Sequence, residues 1–176
     1  MKIRIPTLQT ERLLLEPLEM RHSSGVFALW SDPEVCRYSG MVRDYAGEVI
    51  NMPAASSSDS DRIIDFWIRA ADDGWGFRWA VLKREEGGRF AGMIGFNSLT
   101  ACAEIAYHLL PAQWGNGIMT EAAGAACTWV RRNGSTELEA FIEPENRASA
   151  ALAERLGMTA TDVFSEGARR YATVLD

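Results

Sequence analysis

Three runs rich in apolar residues, 75–83, 90–99 and 103–110, follow one another with only 85–88 and 100–102 as intervening turns. Turns that short join neighbouring antiparallel strands, because a parallel pair needs a crossover of a dozen residues or more. The third run ends at Pro111 and passes at once into PAQWGNGIMTEAA, where two glycines precede a stretch of helical spacing. A strand meander feeding a glycine loop and a helix predicts a mixed α/β fold.

The flanking segments extend that pattern. Residues 11–17 (ERLLLEP) read as a first strand, and 20–31 place Val26, Phe27, Leu29 and Trp30 at helical spacing. Asp32-Pro33 opens a short helical piece through Val35 and Cys36. The small, polar segment 54–61 (AASSSDSD) reads as a mobile loop, with Asp61 capping a helix to about Ala71 whose apolar face is Ile63, Ile64, Phe66 and Trp67. After the glycine loop a helix is predicted over 117–133, with Gly134 beyond its end and Arg131 and Arg132 set against its dipole. A strand (137–142), a helix (146–156, closed by Gly157) and strands near 158–164 and 169–174 complete the chain. The order βαα-βββ-αβ-αββ contains no repeat and predicts one domain over 1–176.

Composition removes several function classes. Met-Lys-Ile-Arg-Ile-Pro lacks the apolar core of a secretory signal, and no apolar run approaches the roughly 20 residues of a membrane span, so a cytoplasmic protein is expected. Cys36, Cys102 and Cys127 have no CxxC spacing, which argues against disulfides and zinc, and His22 and His108 are too few for a histidine-rich metal centre. Net charge is −6 with no basic run longer than Arg131-Arg132, a poor match to nucleic acid and a better one to cationic partners such as amines.

Where a strand ends in glycines and a helix begins, bare backbone N–H groups and the helix dipole can hold a pyrophosphate. Gly115 and Gly117 suit that role because a Cβ would obstruct the approach, although an ordinary helix-capping turn explains the same residues. An ATP loop is disfavoured, since no G-x-G-x-x-G or G-K-[ST] follows. WGNGIMTEA resembles motif A of the GNAT N-acetyltransferases, in the branch of the ribosomal-protein alanine acetyltransferases RimJ and RimL. TERLLLEPL is similar to that branch's opening strand, DPEVCRY to its short second helix, AEIAYHLLP to the strand before the loop, and NRASAALAERLGM to motif B. The resemblance spans nearly the whole chain. It implies the GNAT fold, a central mixed, mostly antiparallel sheet flanked by helices, with acetyl-CoA as co-substrate and no metal. It also implies that backbone groups of Gly115, Asn116, Gly117, Ile118, Met119 and Thr120 hold the CoA pyrophosphate, while the strand edge at His108 and Leu110 takes the pantetheine arm. Trp114 and Met119 depart from the general family pattern without removing those backbone donors.

Acetyl transfer to an amine needs a neutral nucleophile, a stabilised oxyanion and a protonated leaving thiolate. Glu104, on the strand before the loop, is the candidate base, or else a solvent-facing glutamate; Glu121 suits the helix dipole and reads as structural. Asn146 and Ser149 share one face of a helix start, where local capping accounts for both. Motif B often carries a tyrosine four residues after the Ser149 position. Here Ala153 stands there, which by resemblance shifts the general acid to Ser149 and leaves Asn146 to bind pantetheine or order a water. Tyr107 and Tyr171 remain alternative acids. Trp75, Phe77, Trp79 and Phe96 are expected in the core, and Tyr38 with 41–61 on the acceptor side. The acceptor implied is a protein N-terminus or a small-molecule amine, on an enzyme that could pair as a homodimer. An idle acyl-CoA-binding sensor of the same fold is the alternative.

Overall fold

The computed structural model describes residues 3–175; Met1 and Lys2, which open the segment read for a leader, and Asp176 lie outside the described residues. In chain order the elements are β1 (Leu8–Gln9), β2 (Leu13–Pro17), α1 (Ser23–Trp30), α2 (Pro33–Cys36), β3 (Val42–Arg43), β4 (Val49–Ile50) and α3 (Ser57–Asp73). The meander β5 (Phe77–Lys83), β6 (Arg89–Leu99) and β7 (Cys102–Leu109) follows. Next come α4 (Ile118–Arg132), β8 (Glu137–Ile142), α5 (Arg147–Arg155), β9 (Thr159–Ser165) and β10 (Ala168–Val174).

β5, β6 and β7 pair antiparallel, as their short turns require. They sit at the centre of an eight-stranded sheet in the order β1-β2-β5-β6-β7-β8-β10-β9. β7 and β8 pair parallel, with α4 as the crossover, and the other pairings in this sheet are antiparallel. The mixed, mostly antiparallel sheet of the GNAT fold is therefore present.

Alternation along the strands sends side chains to two cores. Leu13, Leu15, Phe77, Trp79, Val81, Ile94, Phe96 and Ile105 face α4 and α5, while Ala80, Leu82 and Met93 face α1 and α3. Phe77, Trp79 and Phe96 are core residues as expected, gathered around Trp129 of α4 with ring centroids 5.2–6.4 Å away. Ala122, Ala123 and Ala126 are fully buried, letting α4 lie close on the sheet.

Two segments differ from the sequence reading. The serine-rich stretch is the start of α3 rather than a loop, because Ser56 and Asp59 form a reciprocal capping box that satisfies two amides of the first turn. The helix thus begins at Ser57, four residues before Asp61. The stretch before it holds the β3–β4 hairpin, a separate two-stranded sheet too short to show a period in sequence. Trp75 stands before β5, packed on Trp67 and Phe66.

The parting of β7 and β8 positions the site. Their register runs only from Cys102–Glu104 against Glu137–Glu139, whereas β8 stays paired with β10 along its whole length and β7 stays with β6. Beyond Glu104 the two strands diverge and leave one edge of β7 without a strand partner.

Candidate active site

A cleft of about 1490 Å³ opens where β7 and β8 separate. A single small ligand usually occupies 300–1,000 Å³, so this space suits two substrates together. Its walls come from β7, the glycine loop, α5, the end of α1 and the segment 37–43.

The open edge of β7 follows from strand alternation. Leu110 donates its N–H to the Ala91 carbonyl, so residues 106 and 108 direct their backbone groups, and Leu110 its amide, to β6, and 105, 107 and 109 direct theirs to the cleft. The Leu110 amide is therefore spent within the sheet, and the edge groups that His108 and Leu110 were expected to offer belong instead to Tyr107 and Leu109. The Trp114 indole N–H donates to the Leu109 carbonyl at 2.9 Å, covering one of these groups.

Next to this edge lies the glycine loop. Gly115 (φ 76°) and Gly117 (φ 71°) both adopt the left-handed conformation, and Gly117 caps α4. The Ile118 and Met119 side chains are buried in the core, which turns the first amides of the helix, with no carbonyl four residues back, towards the loop mouth. A Cβ at Gly115 would meet nothing within 4 Å, and at Gly117 only Arg12 Nη2 at 3.5 Å. The loop is thus an open backbone cradle of the kind a diphosphate requires, with exposed Asn116 between its glycines and half-buried Thr120 in the first helical turn.

Sequence reading missed Arg12. Its Nη1 donates to the Asn116 carbonyl at 2.9 Å and its Nε to Glu121 at 2.6 Å. Glu121 also accepts from the Arg12 amide (2.8 Å) and the Thr10 hydroxyl (2.5 Å). Burial pushes the Glu121 carboxyl up, but these hydrogen bonds outweigh it and hold the group below its ordinary value. The TER of the opening strand and the TEA of the loop therefore meet as one anchor, which gives Glu121 its structural role and places a guanidinium beside the cradle.

On the α4 face, Tyr107 reaches Ser149 across the cleft. The two hydroxyls are 2.9 Å apart, and Tyr107 Oη also donates to the Ser149 carbonyl at 3.1 Å. Asn146 caps α5 by accepting the Ser149 amide at 3.2 Å. Burial raises the Tyr107 phenol above its usual value, more than the Ser149 bond lowers it, so it stays protonated at neutral pH. Tyr171 packs on β10 against the core, away from the cleft lining.

The opposite face of β7 carries Glu104, Ala106 and His108. Glu104 Oε1 accepts from Asn97 Nδ2 at 2.6 Å, and Asn97 Oδ1 accepts from Arg78 Nη2 at 2.5 Å. Arg78 is buried, lies 3.5 Å from the Trp67 ring centroid, and keeps its charge although burial pulls its pKa to about 9. His108 sits 4.6 Å from Trp30, ring to ring, and burial with the nearby Arg78 charge lowers its pKa to about 3. Glu104 and Ser149 thus border one cleft from opposite faces of the strand.

The His108 shift carries a stability consequence. Below pH 6.5 the unfolded chain protonates this imidazole while the folded chain does not, so its contribution is complete above pH 6.5 and declines as pH falls towards 3. Denaturant titrations should therefore show His108→Gln losing about 2–3 kcal/mol less than the parent between pH 7 and pH 4.5. Parallel losses in the two proteins would contradict a neutral, enclosed His108.

The remaining chemistry is quiet. Cys36, Cys102 and Cys127 are unpaired and only partly buried, and burial raises each thiol, Cys127 to about 11, so they are poor nucleophiles at neutral pH. Among the described residues no cluster of three or more His, Cys, Asp or Glu suits a metal, and no helix is long and apolar enough to cross a membrane.

Comparison with known proteins agrees with this fold. The family model described as Acetyltransferase (GNAT) domain matches residues 12–159. The uncharacterized N-acetyltransferase YoaA of Bacillus subtilis is 26% identical over 175 residues, covering 97% of this chain and 93% of YoaA. An acetyltransferase from Agrobacterium tumefaciens superposes with a TM-score of 0.77 at 26% identity, over 98% of this chain and 96% of its own. The RimL ribosomal L7/L12 alpha-N-protein acetyltransferase in complex with coenzyme A shares the fold, with a TM-score of 0.76 at 19% identity over 97% and 99% of the two chains. The chain belongs to the GNAT family of acetyltransferases and is an N-acetyltransferase.

Proposed function

We propose that this enzyme transfers the acetyl group of acetyl-CoA to a primary amine by direct attack within a ternary complex, in the manner of the RimJ/RimL branch. The observation that carries this reading is the cleft between β7 and β8, which has an open backbone cradle at one end, a carboxylate on one face and a paired hydroxyl couple on the other.

The cradle of Gly115, Asn116, Gly117, Ile118, Met119 and Thr120 would hold the diphosphate through backbone N–H groups, with Arg12 as an added cation. Pantetheine would lie along the Tyr107–Leu109 edge like an added strand, displacing the Trp114 indole from the Leu109 carbonyl. Glu104, directly or through a water, accepts the proton that the amine must lose. The amine nitrogen then bonds to the thioester carbonyl carbon, whose oxyanion meets a free N–H on the same edge. As the C–S bond breaks, Ser149 protonates the sulfur and Tyr107 restores the Ser149 proton, while the second proton shed by the nitrogen passes through water in the cleft and returns to Tyr107. Asn146 holds Ser149 in place through its amide.

Thiol release from acetyl-CoA, followed on a panel of primary amines and N-terminal peptides, tests the reaction. Acceptor-dependent release is expected, and tight acetyl-CoA binding with no release on any acceptor would favour the idle sensor. Ser149→Ala and Tyr107→Phe should each lower kcat at least tenfold with little change in acetyl-CoA affinity. The double variant should fall no further than the worse single one, because both act on one proton route. The raised Tyr107 phenol predicts that the alkaline limb of the kcat profile lies above pH 10. An unchanged rate in Ser149→Ala would remove it as the acid.

A further inference from the structure

The α1/α3 face of the cleft holds a polar bay in which buried polar groups outnumber their protein partners. Its floor is the row Arg78, Gly95 and Ala106, which are cross-strand neighbours on β5, β6 and β7. Gly95 is required by the close approach of β5, since a Cβ there would fall 2.1 Å from the Phe77 carbonyl oxygen. With a glycine and an alanine beside it, the Arg78 guanidinium borders the cleft without a large side chain between.

Arg78 is 4% exposed, and among the described residues no carboxylate lies within ion-pair distance of it. Its hydrogen bonds go to the neutral Phe77 carbonyl and Asn97 amide, two of its five N–H groups. A buried cation with no direct ion pair is costly, and stacking on Trp67 together with the charge of Glu104 beyond Asn97 offsets only part of that cost. On one side of the bay, Trp30 Nε1 and His108 Nδ1 are buried and lack any hydrogen-bond partner. Trp30 is itself 5% exposed and, like His108, lines the cleft. On the other side Asn97 separates Arg78 from Glu104.

We infer that the acceptor is a small amino acid, whose carboxylate binds Arg78 and the Trp30 N–H in this bay while its amine is presented to Glu104. Two charges of opposite sign held apart by one amide side chain match an amine and a carboxylate joined through one or two carbons. The carboxylate would supply Arg78 with a direct ion pair and Trp30 with its missing acceptor. This assignment rests on the acetyltransferase reading above and names the substrate class of the same site. Arg78 is then a specificity determinant that selects the acceptor and takes no part in the chemistry.

The test measures kcat/KM by thiol release for free amino acids, their carboxamides and the corresponding decarboxylated amines, with peptides bearing N-terminal Asp or Glu as a further arm. The parent should favour the amino acids over the decarboxylated amines at least tenfold. In Arg78→Met, which removes the charge and keeps an unbranched apolar stem beside Trp67, that preference should collapse towards one, mainly through KM. Trp30→Phe, which removes the N–H and keeps an aromatic ring, should raise KM for the amino acids several-fold and serves if Arg78→Met does not fold. Equal or better use of carboxamides or decarboxylated amines by the parent, or a preference that survives both variants, overturns the inference and leaves the acetyltransferase reading intact. Turnover confined to acidic N-terminal peptides overturns the free amino acid as acceptor. No thiol release with any acceptor overturns both readings.

Discussion

Glu104→Gln is expected to lower kcat about 100-fold at pH 7, close to 3 kcal/mol of transition-state stabilisation, with little change in acetyl-CoA affinity or melting temperature. Glutamine has the same shape and retains an oxygen that can accept the 2.6 Å bond from Asn97, so the Arg78–Asn97–104 chain stays in place. What is lost is the ability to take a proton. An alkyl amine with a pKa near 10 is almost wholly protonated at neutral pH, so without a base only the small neutral fraction reacts. The residual activity of the variant should rise about tenfold per pH unit until the acceptor amine itself titrates, while the parent profile flattens earlier. That pH signature separates loss of a base from loss of a structural contact. A variant within twofold of the parent at pH 7 would make Glu104 an ordinary polar strand residue.

Gly117→Val should weaken acetyl-CoA binding more than 100-fold, measured by calorimetry, while the protein stays folded. Gly117 has φ 71°, where a β-branched residue is strained by about 1–3 kcal/mol. For a chain of this size that predicts a fall in melting temperature of less than about 10 °C. Packing adds little, since a Cβ there meets only the end of the Arg12 side chain at 3.5 Å. The valine methyl groups would instead occupy the outer face of the loop, where the diphosphate must come within hydrogen-bond distance of bare amides. Arg12→Gln offers a graded comparison. It removes the cation against the loop but leaves the amides, and a loss of about tenfold is expected. Normal affinity in Gly117→Val would place the diphosphate elsewhere.

Much of this architecture is legible along the chain because it depends on neighbours in sequence. The meander follows from turn length, and the boundaries of α4, β8 and α5 follow from period changes and from Asn146, Gly134 and Gly157. The glycine loop is visible because its conformation is a local demand on two residues. The serine-rich stretch misleads since serine and aspartate favour both loops and helix starts, and the reciprocal bonds of Ser56 and Asp59 decide between them.

Residue types and spacing by themselves determined the strand meander and the glycine loop before a helix, and resemblance to the GNAT motifs added the cradle, Glu104 and Ser149 as candidates. Tertiary structure alone decided which groups share a cleft. Arg12 reaches Asn116 across 104 positions, and Tyr107 reaches Ser149 across 42. Arg78 lies level with Ala106 because two strand registers align them. The open edge of β7 exists because β8 keeps its pairing with β10 and leaves β7 after three residues. Such contacts are set by the packing of whole elements, which no local pattern of residues encodes, whereas a turn, a cap or a left-handed glycine is set within a few bonds of itself.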